Sequence, residues 1–332
     1  MERLDYLIDF KIDISTYFPN RKICFLDIET TGLSRKFNQI YLIGLVYLND
    51  KDGGWYLSQF FANNIDEEGQ LLEQLNKVIL NFDLLITYNG DSFDIPFIKY
   101  RSNFHNVVDR ISNIDSFDIY RNIRSHSSYL PFKDFKLKTI EESLNIYRED
   151  KHTGKDCINL YYKYLDSGDT ILKKKILKHN FDDLYYLVDV IQIFDVIQDI
   201  KSVSIDLSNE IIPIQINNIT TSGDIMQIIC NTLVTKSEMN LVYFADSFNI
   251  IWQKNTQITL ELDVKEGYIT PTRKCLFVNK SKLPQSIDIK DMTDYMVPED
   301  IIILKIDDKY QMDNLKNIIE QLILYVLNSQ SL

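Results

Sequence analysis

Residues 23–33 read Ile-Cys-Phe-Leu-Asp-Ile-Glu-Thr-Thr-Gly-Leu, an apolar stretch that ends in two acids and a glycine turn. Alternate side chains of a β-strand point to the same face, so Asp27 and Glu29 would project together from a strand that is otherwise core. Carboxylates are costly to bury unless they are paired or bind a metal. The pair therefore predicts a divalent-cation site. The alternative is that one acid is solvated at the strand end and the other caps the turn.

Two further acidic stretches follow in the chain. Residues 84–94 read Leu-Leu-Ile-Thr-Tyr-Asn-Gly-Asp-Ser-Phe-Asp, which predicts a short buried strand, a turn and a helix that begins near Asp94. Asp94 is either the N-cap of that helix or a further ligand. Residues 179–183 read His-Asn-Phe-Asp-Asp inside a helical pattern, so His179 and Asp183 share a helix face. A cap and a solvated pair would explain these stretches separately, but the three stretches together favour one metal site.

In this order the three stretches resemble the three exonuclease motifs of the DEDD superfamily, which has the ribonuclease H-like fold. The chain is more similar to the YprB-like branch, which is usually described as predicted exonucleases. Phe135–Arg148 resembles the Ser-Leu-Lys-x-x-Glu…Leu-Gly-Ile-x-Arg segment of that branch, and Tyr161–Asp169 resembles its Tyr…Tyr-Leu…Gly-Asp stretch. The resemblance covers residues 20–200 and fades beyond 205. One departure is His179, because members of the superfamily with this four-residue spacing usually carry Tyr.

The resemblance implies phosphodiester hydrolysis at two Mg²⁺ or Mn²⁺ ions, which suit oxygen ligands. The implied metal ligands are four acids: Asp27, Glu29, Asp94 and Asp183. His179 would be the general base, a role that its usual pKa permits. Asp182 lies on nearly the same helix face as Asp183, so the last ligand stays open between these two, with the spacing in favour of Asp183.

The resemblance also implies a single-stranded 3′ end of nucleic acid as substrate. Five residues beside the acids would contact the terminal nucleotide: Thr30, Thr31, Leu33, Asn89 and Phe93. The implied function is a 3′–5′ exonuclease acting on DNA or RNA. The alternative is a catalytically inactive ribonuclease H-like protein that binds nucleic acid or serves as an adaptor.

The formal net charge of −12 is unusual for an enzyme that binds phosphates, which favour a basic surface. Two divalent cations would offset four of these negative charges. Basic clusters also accompany the three motifs, which favours weak local contact with substrate over a long basic groove. These clusters are Arg35-Lys36, Lys133 with Lys136 and Lys138, and Lys173–Lys175 with Lys178.

The pattern along the chain predicts an α/β protein with two domains. Residues 1–202 would form the ribonuclease H-like domain, a mixed sheet flanked by helices. Its predicted strands lie near 22–29, 40–48, 54–61 and 84–88, and its helices near 66–81, from Asp94, and between 119 and 199.

Residues 203–332 would form a smaller, β-rich α+β domain, in which β-rich runs precede a helix near 310–328. These runs are Ile211–Ile216, Leu241–Trp252, Gln257–Val264, Cys275–Val278 and Ile301–Ile306. This region carries no motif with chemistry, which makes it a possible contact for a protein partner. The chain lacks an 18-residue apolar run and a signal peptide pattern, so we predict no membrane association and a cytoplasmic location.

Overall fold

The computed structural model describes residues 1–148, 152–207, 210–232, 240–253 and 257–330. The chain divides into two compact units. The first contains Met1–Ser125 and Lys133–Ile193, and the second contains His126–Phe132 and the chain from Phe194 onward. This division differs from the predicted boundary after residue 202, because helix Ile193–Ile200 and a short upstream segment pack with the second unit.

The described part of the first unit contains one six-stranded sheet and six α-helices. The strands are β1 (Glu2–Ile8), β2 (Ile23–Thr30), β3 (Ile40–Leu48), β4 (Trp55–Phe61), β5 (Leu84–Thr87) and β6 (Asp115–Asp118). The helices are α1 (Glu68–Ile79), α2 (Asp94–Phe104), α3 (Ile119–Ser125), α4 (Leu137–Ser143), α5 (Gly154–Ser167) and α6 (Thr170–Val190).

The strand order in this sheet is β1-β4-β3-β2-β5-β6. The strands β1, β4, β3 and β2 pair antiparallel in this order. Strand β5 lies parallel to β2, and β6 lies parallel to β5. Helices α1, α5 and α6 contact the strands β2 to β4, and α3 contacts β5 and β6. The predicted mixed sheet with flanking helices is therefore confirmed. Strands β1 and β6 were absent from the prediction, since both are largely exposed and lie at the sheet edges.

Helix α6 lies unusually close to the centre of the sheet because β3 carries a glycine there. Gly44 pairs with Asp27 of β2, and a Cβ atom at Gly44 would lie 2.3 Å from Leu184 Cδ1 and 2.4 Å from Asn180 Oδ1. Gln59 of β4 donates from Nε2 to the Leu177 carbonyl and to Asn180 Oδ1, both at 2.8 Å. The missing side chain at Gly44 thus lets α6 seat on the strand that carries the two acids.

A buried ion-pair cluster joins α1, α2 and β3 inside the same unit. Arg101 donates from Nε to Glu68 Oε1 at 2.9 Å, and its Nη2 lies 2.5 Å from Glu68 Oε2. Glu68 also accepts the Ile40 N–H at 2.8 Å, and its Oε2 lies 2.7 Å from His105 Nε2. Both Arg101 and Glu68 are buried. Because each carboxylate oxygen has several donors around it, this cluster has the closed form expected of a buried ion pair.

The described part of the second unit contains ten strands in two sheets, with helices at its start and end. The first sheet has the order β10-β11-β12-β9-β8-β7, with β7 (Ser202–Leu207), β8 (Glu210–Ser222), β9 (Ile225–Thr232), β10 (Leu241–Phe244), β11 (Phe248–Gln253) and β12 (Gln257–Asp263). The second has the order β13-β14-β15-β16, with β13 (Lys265–Thr270), β14 (Arg273–Asn279), β15 (Ile301–Ile306) and β16 (Lys309–Tyr310). The helices are α7 (Ile193–Ile200) and α8 (Met312–Gln330).

The second unit has its own apolar core, formed by strands of both of its sheets and by α8. Trp252 is fully buried there, as are Ile228 and Leu322. The predicted run 241–252 is two strands, β10 and β11, since the chain turns between Phe244 and Phe248. Among the residues that the structure describes, none of the helices has the length and apolar character needed to cross a membrane.

Candidate active site

Strand β2 delivers two acids to the site, and helix α6 delivers a third. One carboxylate oxygen each from Asp27, Glu29 and Asp183 lie within 4.8 Å of one another. Glu29 is buried and Asp27 is half-buried near the end of β2. The structure therefore brings together these two acids of the first sequence stretch and one acid of the last.

Asp94 adjoins these three acids from the start of α2. Its Oδ1 accepts the N–H of Ile28 at 3.1 Å, and its side chain is buried. Ile28 is the residue between Asp27 and Glu29 on β2, so this bond fixes the start of α2 against the acidic strand. We call Asp27, Glu29, Asp94 and Asp183 the acidic centre.

Burial and nearby negative charge disfavour the ionised forms of three of these acids, Asp27, Glu29 and Asp94. Burial is the main cause that raises the pKa of Asp27 well above its usual range, and the charges of Asp94, Asp183 and Glu29 raise it further. Burial also raises the pKa of Glu29 to about 8, against the lowering effect of His179. It raises the pKa of Asp94 to about 7, although the bond from the Ile28 N–H opposes this shift. A bound cation would relieve this repulsion.

The donor set of the acidic centre fits a hard divalent cation. All four acids offer carboxylate oxygens, which are the ligands that Mg²⁺ and Mn²⁺ prefer. Three of the four place an oxygen within 4.8 Å of the others, close enough to share ligation. Together with the raised pKa values, this spacing makes the centre a candidate metal site.

His179 lies between two acids of the centre. Its Nε2 atom is 3.7 Å from Glu29 Oε1 and 3.6 Å from Asp183 Oδ2, and its side chain is buried. Cys157 of α5 lies nearby, and its sulfur is within 4.8 Å of ligand atoms of both Glu29 and His179. The predicted proximity of His179 to the acids is thus present in the structure, whereas Cys157 was not predicted to be there.

The structure separates Asp182 from Asp183. Asp182 is buried and accepts from Lys178 Nζ at 3.0 Å, one helical turn away. Asp183 instead belongs to the group formed with Asp27 and Glu29. The position of Asp183 therefore favours it over Asp182 as a ligand, although the role itself stays a prediction.

Two polar side chains that we did not predict hold the acids of β2. Asn180 of α6 donates from Nδ2 to Asp27 Oδ2 at 2.7 Å, and its own Oδ1 accepts from Gln59. The Tyr41 hydroxyl donates to Glu29 Oε2 at 3.3 Å. The sequence could have indicated Asn180, because it directly follows the predicted site residue His179. It could not have indicated Tyr41, because the contact of Tyr41 with Glu29 depends on the pairing of β2 with β3.

An arginine that we also did not predict reaches the acidic centre. Arg148 Nη1 pairs with Asp183 Oδ1, and Nε donates to Glu141 Oε2 at 2.8 Å. Glu141 is buried in α4. The sequence signal was the resemblance of Phe135–Arg148 to a family segment, which assigned no role to either residue.

The predicted substrate contacts at the end of β2 lie in a tight turn. Thr30 Oγ1 donates to the Gly32 carbonyl at 2.9 Å, and Thr31 Oγ1 accepts the Gln39 N–H at 3.0 Å. Leu33 is 86% exposed just beyond them, and Phe37 is 79% exposed in the same loop. The two threonines thus shape the turn, and Leu33 has the exposure that contact with a base would require.

The other two predicted contacts, Asn89 and Phe93, lie in the turn between β5 and α2. Asn89 has a left-handed backbone with φ of 66°, and its N–H donates to Asp118 Oδ1 at 2.9 Å. The Phe93 N–H donates to the Asn89 carbonyl at 3.2 Å, and its ring packs 5.4 Å from that of Phe97. Both residues therefore support the turn that presents Asp94, and their contact with substrate stays a prediction.

One part of the basic-cluster hypothesis is wrong. Lys173 is buried, forms an ion pair with Glu2, and lies with Nζ 4.8 Å from the centre of the Phe61 ring. Its charge therefore serves the packing of α6 onto β1 and β4, and it cannot face a nucleic acid.

A pocket of about 660 Å³ opens beside the acidic centre. Asp183 and His179 line it on one side, and the chain from α4 onward lines the other, including Lys138, Tyr147 and Arg148. Tyr147 is strongly exposed at this pocket. The pocket is thus a space next to the acids with one aromatic and two basic side chains.

The fold and the acidic centre together define a ribonuclease H-like α/β domain. The profile of the RNase_H superfamily matches residues 24–194, which is about half of the chain. The chain belongs to the RNase_H superfamily. This membership confirms the predicted fold and the predicted family, and it supports a nuclease-like role.

Relatives of the chain come from an archaeon and a bacterium. The chain is 30% identical over 167 residues to the uncharacterized protein MJ0365 of Methanocaldococcus jannaschii, a match to 48% of this chain and 87% of that protein. It is 27% identical over 145 residues to a DNA polymerase of the same organism, covering 38% of this chain and 9% of the polymerase. It is 26% identical over 179 residues to the uncharacterized protein YprB of Bacillus subtilis, covering 52% of this chain and 42% of YprB.

Two solved structures show a general similarity. One is the family B DNA polymerase of Pyrobaculum calidifontis, with a TM-score of 0.43 and 14% identity over 54% of this chain and 25% of the polymerase. The other is the zinc-bound E. coli ExoI–ssDNA complex, with a TM-score of 0.34 and 11% identity over 64% of this chain and 54% of ExoI. Both TM-scores are below 0.5.

Proposed function

We propose that this protein is a metal-dependent nuclease of the DEDD type, a 3′–5′ exonuclease that hydrolyses single-stranded DNA or RNA. The observation that carries the proposal is the group of carboxylates from Asp27, Glu29 and Asp183 within 4.8 Å of one another, with Asp94 beside them. Membership of the RNase_H superfamily supports the same activity. The substrate, the polarity and the number of ions are parts of the proposal.

The acidic centre would hold two Mg²⁺ or Mn²⁺ ions. Asp27 would be the central ligand of this group, because the charges of Asp94, Asp183 and Glu29 all act on it. When bound, such ions activate a water molecule and stabilise charge on the leaving oxygen. Asn180 and Tyr41 would keep the carboxylates of Asp27 and Glu29 oriented, as hydrogen-bonding partners of metal ligands do.

His179 would act as the general base at its Nε2 atom. This atom lies between Glu29 and Asp183, within 3.7 Å of an oxygen of each. A base must be within reach of the proton that it accepts and must be neutral before it does so. Helix α6 carries both His179 and Asp183, so one rigid element would hold the base relative to the last ligand.

Residues around the turn after β2 would bind the terminal nucleotide. Leu33 would contact the base, because it is strongly exposed directly after the acidic strand. Thr30 and Thr31 would hold the backbone of this turn in place, and Asn89 and Phe93 would shape the opposite wall. Aromatic and apolar stacking of this kind tolerates any base, which suits an exonuclease without sequence preference.

The main test is digestion of end-labelled single- and double-stranded DNA and RNA in Mg²⁺ or Mn²⁺. We expect products that shorten one nucleotide at a time from the 3′ end. Asp183→Asn should remove this activity, and Asp182→Asn provides the matched control on the next residue, outside the acidic centre. Equal cleavage by the wild type and Asp183→Asn, in preparations free of other nucleases, would contradict the proposal.

The alternative is a catalytically inactive protein that binds nucleic acid or serves as an adaptor. Its distinguishing result would be binding of labelled single strands by the wild type without any cleavage in either metal. A protein partner on residues 203–332 and a cytoplasmic location are further proposals. Capture of a partner by the full chain, lost when surface residues of this region are changed, would test the first of them.

A further inference from the structure

Arg148 connects the acidic centre to a buried glutamate that has no part in the proposed chemistry. Its Nε donates to Glu141 Oε2 at 2.8 Å and to Oε1 at 2.9 Å, and its Nη2 also pairs with Glu141. Its Nη1 pairs with Asp183 Oδ1. The Arg148 side chain is only 13% exposed. Glu141 thus holds one edge of the guanidinium and leaves the other edge to Asp183.

We infer that Arg148 is a positioning residue for Asp183, and that Glu141 anchors it for this purpose. The inference rests on the proposed function and extends it by one residue pair. Arg148 would fix Asp183 through Oδ1, so that Oδ2 faces the other acids. Asp183 Oδ2, the oxygen for which no contact with Arg148 is seen, lies 3.6 Å from His179 Nε2, and that nitrogen lies 3.7 Å from Glu29 Oε1.

The planar guanidinium explains why this position needs arginine. A guanidinium presents several N–H donors in a fixed fork, so it can hold two carboxylates in one defined relative geometry. A lysine ammonium at this position would keep the positive charge, but it is a point charge on a flexible stem. Carboxylates that bind metals are themselves hydrogen-bonded, and loss of such partners typically costs about 10–100-fold in metal affinity.

The positive charge of Arg148 would by itself repel a cation bound at Asp183. The negative charge of Glu141 offsets much of this repulsion. Its carboxylate pairs with Arg148 at Nε and Nη2, so the two side chains together carry no net charge. The effect of Arg148 on a bound metal should therefore be dominated by the orientation of Asp183.

The same unit offers a matched control for a purely structural arginine. Arg101 forms a buried pair with Glu68, and both of its contacting nitrogens bond to that one carboxylate. Arg101→Lys and Arg148→Lys therefore make the same chemical change in two buried Arg–Glu pairs. Of these two arginines, only Arg148 also contacts an acid of the acidic centre, through Nη1 and Asp183 Oδ1.

The experiment is a Mn²⁺ titration of the full chain, with free Mn²⁺ measured by electron paramagnetic resonance. We expect the Kd to rise about 10–100-fold in Arg148→Lys and Arg148→Ala. Glu141→Gln should weaken binding in the same direction, since it loosens the anchor. Arg101→Lys should leave the Kd unchanged, although it lowers the melting temperature.

Two results would overturn parts of this picture. If Arg148→Lys or Arg148→Ala binds Mn²⁺ as tightly as the wild type, or more tightly, Arg148 is only a counter-charge and the inference fails. If Arg148→Ala does not fold by circular dichroism, Arg148→Lys decides the question by itself, because it keeps the positive charge and changes the geometry. Absence of Mn²⁺ binding by the wild type would overturn the proposed function, and the inference with it.

Discussion

Two buried clusters in the first unit each contain arginine, glutamate and histidine, but they differ in charge balance because the second also contains three aspartates. One joins Arg101, Glu68 and His105, with one acid for one arginine. The other joins Arg148, Glu141 and the acidic centre, where His179 lies between two of the acids. This second cluster has one arginine for five acids, which are Glu141 and the four acids of the centre. The balanced cluster is complete within the protein, whereas the acidic one calls for added cations.

The difference shows that a buried acid by itself does not indicate a catalytic site. Glu68 is as buried as Glu29, yet it accepts two arginine nitrogens and a backbone N–H. For Glu29, burial raises the pKa to about 8. Excess negative charge in one place, together with burial, is therefore what distinguishes the candidate site.

The largest expected effect is on hydrolysis, in the acidic cluster alone. We expect Asp27→Asn to lower the rate by at least about 10³-fold, because several kcal/mol of transition-state stabilisation depends on the bound metals. Single-turnover cleavage of an end-labelled oligonucleotide measures this, with circular dichroism to show that the fold persists. Glu68→Gln is the control, which should cleave normally per folded molecule. Near-wild-type cleavage by Asp27→Asn would remove the contrast between the clusters.

The two histidines offer the next comparison. His179→Ala should lose roughly 10²–10⁴-fold in rate, the usual worth of a positioned general base. His105→Ala should keep the rate, because His105 Nε2 contacts Glu68, which is not part of the acidic centre. Partial activity should survive in His179→Tyr, since Tyr occupies this position in similar enzymes. A wild-type rate for His179→Ala, with chemistry rate-limiting, would shift the search for the base to Asp182.

Stability should respond in the opposite order to activity. Arg101→Ala leaves Glu68 buried without its ion-pair partner, so the free energy of unfolding should fall by about 3–5 kcal/mol. Urea denaturation measures this loss. Asp27→Asn should instead keep or raise the stability of the metal-free protein, since it removes one of several repelling charges. A loss of similar size in both variants would mean that the two clusters serve the same structural role.

Metal should stabilise the protein through the acidic cluster only. Mn²⁺ at a hundredfold excess over its Kd should add about 2.7 kcal/mol to the free energy of unfolding. Arg101→Lys should gain as much as the wild type, whereas Asp27→Asn should gain much less. A melting temperature that responds neither to millimolar Mn²⁺ nor to EDTA would count against a competent site.

The last comparison is the pH dependence of the metal-free protein. Burial raises the pKa of Glu29 to about 8 and that of Asp94 to about 7, so the folded state retains protons that the unfolded state has released. Stability in EDTA should therefore fall as the pH rises from about 4.5, the usual range for acids, toward 8. Glu29→Gln should fall less steeply, as urea denaturation at several pH values would show. Parallel curves for the two proteins would mean that Glu29 ionises freely.

Local patterns in the sequence were enough to predict the central fold and the candidate acids. Strands β2 and β5 are short apolar runs with clear turn signals, and α6 has a long helical pattern. Asp27 and Glu29 were expected on one face because alternation along a strand is a local property. The superfamily membership agrees with the motif order, which also depends only on the sequence.

Contacts between distant segments account for what could not be predicted. Arg148 and Asp183 are 35 positions apart in the sequence. Tyr41 contacts Glu29 only because β3 pairs with β2. Lys173 belongs to a basic run that is otherwise typical of a solvated helix face, yet it is buried and forms an ion pair with Glu2 of β1. Edge strands such as β1 bury one face only partly, so their apolar signal is weak.

The glycine of β3 has a consequence for how this site could be lost. Gly44 carries no functional group, and a strand glycine usually weakens a sheet. Its importance is steric, because even one methyl group would meet Leu184 and Asn180 of α6. That helix carries His179 and Asp183, so lifting it would widen the gap between the two halves of the acidic centre. The proposed activity should therefore be sensitive to any side chain at position 44, although Gly44 itself provides no ligand.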